Sequence, residues 1–379
     1  MTGIKFFFNR YLLWIVFLFY LLFSFFIKNP LQDVHLFESV GFYLTRKIDI
    51  YFIDQTHGTY PFFPFLIFPY ALAHLIVERW PILPFSFLVK LILIPTIFAL
   101  GILIEKISIL QGLNKKSALQ RKVLFCLNPV VFFTVVYHGQ ADIVLLFFFL
   151  LSFYLFKNTI LSGIFYGVSI LTKTWSVIFW PLLLLKFKNP KQFLAHLAST
   201  FLVIFFVCFI YTRYLGSSFT RVFEAVTGHP GGSAGYWGYT ALLFLFAQTL
   251  NNVNLANLIQ ILFEHSILIL LISFFLTYSI IILKKPSFLT SALLLVLVFY
   301  LATPSWGIQH SLWALPFLFL WSTKAGFSYS SIVTPYLFFG YLSFLNLPFD
   351  VTNLSRAFSL IPWAFSIKTF YEIIKNKQK

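Results

Sequence analysis

The sequence predicts an all-α integral membrane protein, a polytopic bundle of about 11–13 transmembrane helices. Three features carry that expectation. Of the 379 residues 60% are hydrophobic and 10% charged, where an ordinary soluble domain is about 25% charged. Apolar runs of about 15–20 residues recur along the chain, close to the length a helix needs to cross the hydrocarbon core. The charge is also sorted. In the topology below most of the 27 Lys and Arg fall on the inner side, and of the 11 acidic residues only Glu105 and Glu372 join them. That is the positive-inside bias.

The net charge of +16 is spread between apolar runs and forms no continuous basic arm, so nucleic acid is not the expected partner. Cys126 and Cys208 both sit inside apolar runs and read as packing residues, not as a disulfide framework. The N-terminus, MTGIKFFFNR and then an apolar run without a small-residue cleavage site, reads as an uncleaved signal anchor. Both termini are placed on the cytoplasmic side, and the cell membrane is expected rather than the endoplasmic reticulum.

The whole chain, 1–379, is expected to form a single polytopic membrane domain. Residues 28–84 are a first external loop with a juxtamembrane segment, 85–211 a helical module, 212–264 a second large external loop, and 265–379 the C-terminal helices. Span one covers 11–27. The polar stretch 31–60 follows outside and holds Asp33, Glu38, Asp49 and Asp54. Residues 61–80 are apolar but broken by Pro61, Pro64 and Pro69. Each proline costs a backbone hydrogen bond that lipid cannot replace, so an external or re-entrant segment is expected there. Span two is 85–104, with Lys90 near its outer end, and an inner loop at 105–122 carries Lys106, Lys115, Lys116, Arg121 and Lys122. Spans three to seven are 123–137, 143–156, 160–172, 175–185 and 196–211. The second loop contains GHPGGSAGYWGY, and 241–250 is too short to cross and is expected at the interface. Spans eight to twelve are 265–283, 286–302, 310–321, 328–345 and 354–371.

Several residues have the right chemistry for a site. Asp33, just past span one, is placed to take a proton from an attacking hydroxyl; the plainer reading is a helix N-cap before VHLFESVGFYL. Glu38 is the next candidate base, on the solvated face of the same helix. His138, Gln140 and Asp142 form a polar group between two spans, where an ionisable side chain is functional by default unless it lies in a solvated interfacial turn. Lys173 can hold a phosphate as a point charge or snorkel to the interface beside Trp175, and taken alone snorkelling is favoured. Gln309 and His310, at the outer start of span ten, can orient a phosphate or a hydroxyl, or simply begin a helix. In the second loop Arg213, Arg221, His229 and Trp237 can hold phosphate or stack on a sugar, although most loop residues do neither. No metal is indicated: there is no His/Cys cluster, no His-Glu-x-x-His and no Asp-x-Asp in the first loop. There is no phosphate-binding glycine loop and no nucleophile elbow.

In their order these features resemble the GT-C glycosyltransferases, and most of all the mannosyltransferases related to glycosylphosphatidylinositol assembly. Asp33 followed by GFYLTRKIDIY and Tyr60-Pro61 is similar to the family's first loop, an acidic residue before Tyr-Pro-Pro, although Phe62 stands in place of the second proline. Asn128-Pro129 leading to HGQAD is similar to its Asn-Pro…Gly-Gln-x-Asp segment. LSGIFYGVSILTKTWSVIFWP resembles its Gly…Gly…Lys…Pro segment, and PSWGIQHSLWALPF its later Gln-Tyr…Trp…Pro segment. The first 190 residues match in order and the rest in patches.

The resemblance implies a GT-C-like architecture and an inverting transfer of a hexose, mannose first, from a polyprenyl-phosphate-sugar donor to a lipid, glycan or protein acceptor on the outer or lumenal face. It implies Asp33 as general base, Asp142 as support for the acceptor or the site geometry, and Lys173 with Gln309 or His310 on the donor phosphate. No nucleotide or other cofactor is implied. Two other readings stay open: a transporter or flippase of lipid-linked saccharides, and a non-catalytic subunit of a membrane assembly.

Overall fold

The computed structural model describes residues 2–27, 32–52, 60–187, 189–228, 232–345 and 351–375; Asp54 and His229 lie outside them. The chain forms two compact units, Met1–His229 and Pro230–Lys379. It is an all-α, multi-pass membrane protein. Among the described residues four helices are long and apolar enough to cross a bilayer: Phe85–Leu110, Lys115–Tyr137, Pro190–Leu215 and Ser266–Lys284. Shorter apolar helices, among them Tyr11–Phe26, Asp142–Tyr154, Thr159–Thr172 and Phe288–Ala302, accompany them. Along Ser266–Lys284 the side chains of Leu271, Phe275 and Leu283 are 61%, 72% and 80% exposed. A stripe that apolar and that bare belongs in lipid.

In the first unit, helix boundaries are set by side chains the sequence provides. Asn114, Asn128, Asn158 and Asn189 each cap a helix by accepting a backbone N–H, and Pro129 and Pro190 follow two of them in the first helical turn. Proline has no N–H to lose there. Asn128-Pro129, a polar kink within an expected span, is thus the point where one helix ends and the next begins.

Three stretches gain definition here. Within 61–80, the expected external or re-entrant segment, a helix, Ile67–Arg79, forms. Pro61 and Pro64 precede it and Pro69 lies in its first turn, so no internal hydrogen bond is lost. That helix packs on Gln32–Thr45 so closely that a Cβ at Gly41 would lie 2.5 Å from Tyr70 O. The expected inner loop 105–122 is mostly helical as well, because Lys115–Cys126 folds back on Phe85–Leu110. Two of its basic side chains turn inward: Lys122 Nζ donates to Glu105 Oε2 at 2.7 Å, and Arg121 donates to Ser108 Oγ at 3.3 Å. The second loop carries three short helices, Phe219–Gly228, Gly238–Thr249 and Val253–Glu264. At 10 to 12 residues each is too short to span unaided.

Gly163 and Gly167, one helical turn apart, bring Thr159–Thr172 against Pro190–Leu215. A Cβ at Gly163 would meet His196 O at 2.3 Å, and one at Gly167 would meet Thr200 O at 2.8 Å. Thr200 Oγ1 donates to Gly163 O at 3.0 Å. Small residues at this spacing let backbones approach where no hydrophobic effect drives helices together. This contact fixes the helix that ends at Lys173.

In the second unit, Phe288–Ala302 is the central helix, with Ala292, Leu293, Leu295, Val296 and Leu297 fully buried. Two-residue strands, Ser233–Ala234 and Ser305–Trp306, pair antiparallel beside it.

Candidate functional site

The polar residues of the first unit converge. Asp33 lies in the first turn of Gln32–Thr45, where the positive end of the helix dipole favours a carboxylate. The buried face of that helix is Val34, Phe37, Val40 and Leu44, the spacing of one helical stripe, and Asp33 stands at its edge. His138 and Gln140 come from the far side. The helix after Asn128 loosens into a π-helical segment, Phe132–Tyr137, and Gly139 then turns the chain back with φ +86°, a conformation that glycine adopts without strain. His138 Nε2 lies 3.1 Å from Asp33 Oδ2, and Gln140 Nε2 donates to the same oxygen. An ionised carboxylate only accepts, so the imidazole proton facing it sits on Nε2.

Behind this pair is a buried ion pair. Asp142 opens the helix Asp142–Tyr154 and its side chain is fully buried. Lys173 follows Thr159–Thr172 in an extended conformation, φ −154° and ψ 134°. Its Nζ donates to Asp142 Oδ2 at 2.6 Å and to Gln140 Oε1 at 3.3 Å, and lies 5.1 Å from the centre of the Phe62 ring. Lys173 therefore does not snorkel. Its side chain is 7% exposed, because a buried carboxylate outcompetes distant water for it. Gln140 links the two halves: its amide nitrogen faces Asp33 and its oxygen faces Lys173.

Asp33 differs from Asp142 in access, for its side chain is 41% exposed. Partial burial pushes its carboxyl up. The hydrogen bond from His138, the charges of His138 and Lys173 and the hydrogen bond from Gln140 together outweigh burial and hold it below its ordinary value of 3.8.

The other expected site residues are placed as follows. Glu38 is 41% exposed, 4.0 Å from His35 Nδ1 on the same helix, the solvated position expected for it. Tyr60 is buried at 1% exposure, beside Tyr51, whose hydroxyl donates to Phe62 O at 2.6 Å. Arg221 lies 3.9 Å from Asp49 Oδ2 and over the Phe52 ring. Arg213 is exposed near Phe209. In the second unit Trp237 is fully buried, stacked 3.8 Å from Trp306 with Nε1 donating to Tyr300 O at 2.8 Å. Its ring faces are spent on packing, so it is not an open platform for a sugar. Gln309 and His310 lie in the short 3₁₀ turn Ile308–Leu312, both half-buried, and His310 Nδ1 accepts from Gly307 N at 3.1 Å.

Sequence reasoning missed the tie of Asp49 to Tyr211, whose hydroxyl donates to Oδ1 at 2.7 Å, and the engagement of Lys90 with Tyr137 O. Only a lysine within an apolar run marked the second, and nothing in the sequence marked the first. Among the described residues no three His, Cys, Asp or Glu side chains converge as metal ligands would.

The profile of glycosyltransferase family 87 matches residues 56–304 of this chain. The chain belongs to glycosyltransferase family 87. The matched residues of this transferase include His138, Gln140, Asp142 and Lys173 and end before Gln309; Asp33 precedes them. No curated protein and no solved structure matches the chain.

Proposed function

We propose that this membrane glycosyltransferase moves a hexose, mannose first among candidates, from a polyprenyl-phosphate-sugar donor to an acceptor hydroxyl on the outer or lumenal face, with inversion. Asp33 is the base. It takes the acceptor's proton as the acceptor oxygen bonds to the sugar's C1; the bond from C1 to the phosphate oxygen breaks, and its electron pair leaves with the polyprenyl phosphate. His138 and Gln140 hold Oδ2, so Oδ1 meets the incoming hydroxyl. Lys173 is neutralised by Asp142 and acts by aiming Gln140, not by gripping the donor phosphate.

One observation carries this reading. Among the carboxylates gathered here, Asp33 alone is both exposed on one side and fixed on the other. A base needs that combination, since it must reach a substrate proton from a fixed direction and stay ionised at working pH. The polar groups also converge at one spot beside the helix after the first span, where a lipid-linked substrate in the outer leaflet presents its headgroup.

The test uses purified protein in nanodiscs with radiolabelled polyprenyl-phosphate mannose, polyprenyl-phosphate glucose and a membrane extract as acceptor source. Wild type transfers label, and Asp33→Asn loses about 10²–10⁴-fold, the usual worth of a positioned base. Transfer by Asp33→Asn at the wild-type rate defeats the assignment.

A further inference from the structure

Lys90 is fully buried in the helix Phe85–Leu110, among Val89, Leu93 and Ile94. An ammonium in such surroundings is costly unless something compensates it. The described ion pairs of this unit that involve Lys or Arg use Arg46, Lys122, Lys173 and Arg221, and none uses Lys90. Its Nζ donates instead to Tyr137 O at 3.1 Å. Tyr137 is the last residue of the π-helical segment, and His138 is the next. A helix C-terminus carries the negative end of the helix dipole, so a cation is the fitting complement.

The direction in which His138 and Gln140 leave the helix depends on this end. The wide turn is closed by His138 N on Phe133 O at 3.0 Å, and Gln140 N wraps back to Thr134 O at 3.1 Å. An α-helical continuation would rotate His138 by a large part of a turn and take its imidazole away from Asp33. We propose that Lys90 is a positioning residue for the transfer: by holding the Tyr137 carbonyl it fixes the end of the π-helical segment from which His138 and Gln140 reach Asp33. The inference rests on the reading of Asp33 as the base.

Lys90→Met keeps the apolar stem out to Cε and removes the ammonium with its donors. A small displacement of a reacting group costs up to about 100-fold, so kcat falls about 10- to 100-fold while KM for the donor stays within about threefold. Lys90→Arg restores most of the loss. The double variant Lys90→Met/His138→Ala loses less than the two single losses multiplied together, since Lys90 acts in part through His138. The acid limb of the rate profile moves up in Lys90→Met as it does in His138→Ala. The groups that act on Asp33 in this comparison are His138, Gln140, Lys173 and Tyr70 from other elements, while His35 and Glu38 on its own helix pair with each other; none is substituted in Lys90→Met.

A second readout does not depend on turnover. With ¹⁵N-labelled histidine, the His138 resonance, assigned by its loss in His138→Ala, shifts in Lys90→Met. An unmoved resonance together with an unmoved acid limb overturns the proposal, even if the thermal midpoint drops, because that is the pattern of packing alone. Additive losses in the double variant overturn it too. Where Lys90→Met does not fold, Lys90→Gln, one atom too short for the contact, is read in the same way. Asp33→Asn run in parallel separates the two ideas. Full activity there defeats the base assignment and leaves the His138 resonance to decide Lys90, whereas a dead Asp33→Asn beside a wild-type-like Lys90→Met defeats Lys90 alone.

Discussion

The polar cluster of the first unit and the aromatic cluster of the second begin from similar sequence cues and finish differently. Each is a run of polar and aromatic residues between apolar spans. In the first, Asp33, His138, Gln140, Lys173 and Asp142 satisfy one another and leave one carboxylate half open. In the second, Trp237, Trp306, Tyr300 and His310 close on themselves: the two indoles stack, and their neighbours are spent on ring contacts and backbone carbonyls. The lesson is that polarity near a membrane rim does not make a site. A site needs a reactive group whose partners fix it without covering it.

Three sets of substitutions test this contrast. The largest effect is expected at Asp142→Leu. It strands the buried Lys173 charge and releases Gln140, and removing one partner of a buried pair costs about 3–5 kcal/mol. Thermal unfolding in detergent should show that loss, and Asp142→Leu/Lys173→Met should recover most of it, because an apolar pair of similar volume needs no compensation. A double variant as unstable as the single one breaks the idea that the pair is mainly a support.

In the second unit Trp237→Ala should cost about 3–4 kcal/mol of stability, and Trp237→Phe, which keeps a ring but loses the donor to Tyr300 O, about 1 kcal/mol. Unfolding midpoints together with donor KM check this. A raised KM with an unchanged midpoint would mean that Trp237 meets substrate, and the contrast between the clusters would fail.

The smallest effect is a pH shift at His138→Ala. The carboxyl of Asp33 is held below 3.8 in the folded protein, so the stability its ionisation contributes is fully present above that value and is lost as pH falls through the lower folded one. The working base is likewise ionised down to that lower pH. Without His138 two of the lowering influences are gone and burial weighs more heavily, so the acid limb of kcat/KM moves up toward the ordinary carboxylate range. A rate profile that does not move would mean that Lys173 and Gln140 alone set the state of Asp33.

Local chemistry wrote much of this protein plainly. Apolar runs and sorted charge establish a membrane bundle because lipid admits little else. The Asn and Asn-Pro dipeptides end helices where they stand, since capping needs only neighbours. Asp33, His138, Gln140, Asp142 and Lys173 stood out individually, for an ionisable residue in an apolar chain is expensive. Their partnership could not be read. Asp33 and His138 lie 105 residues apart, and no periodicity links them. Only folding decided that Lys173 turns inward to Asp142, that the prolines of 61–80 precede or begin a helix, that Trp237 is core, and that Lys90 grips the π-helical end. Each of these is a competition between a local preference and a tertiary partner, and a buried opposite charge, a carbonyl at a helix end or a matching ring face wins because the membrane interior offers no water to take its place.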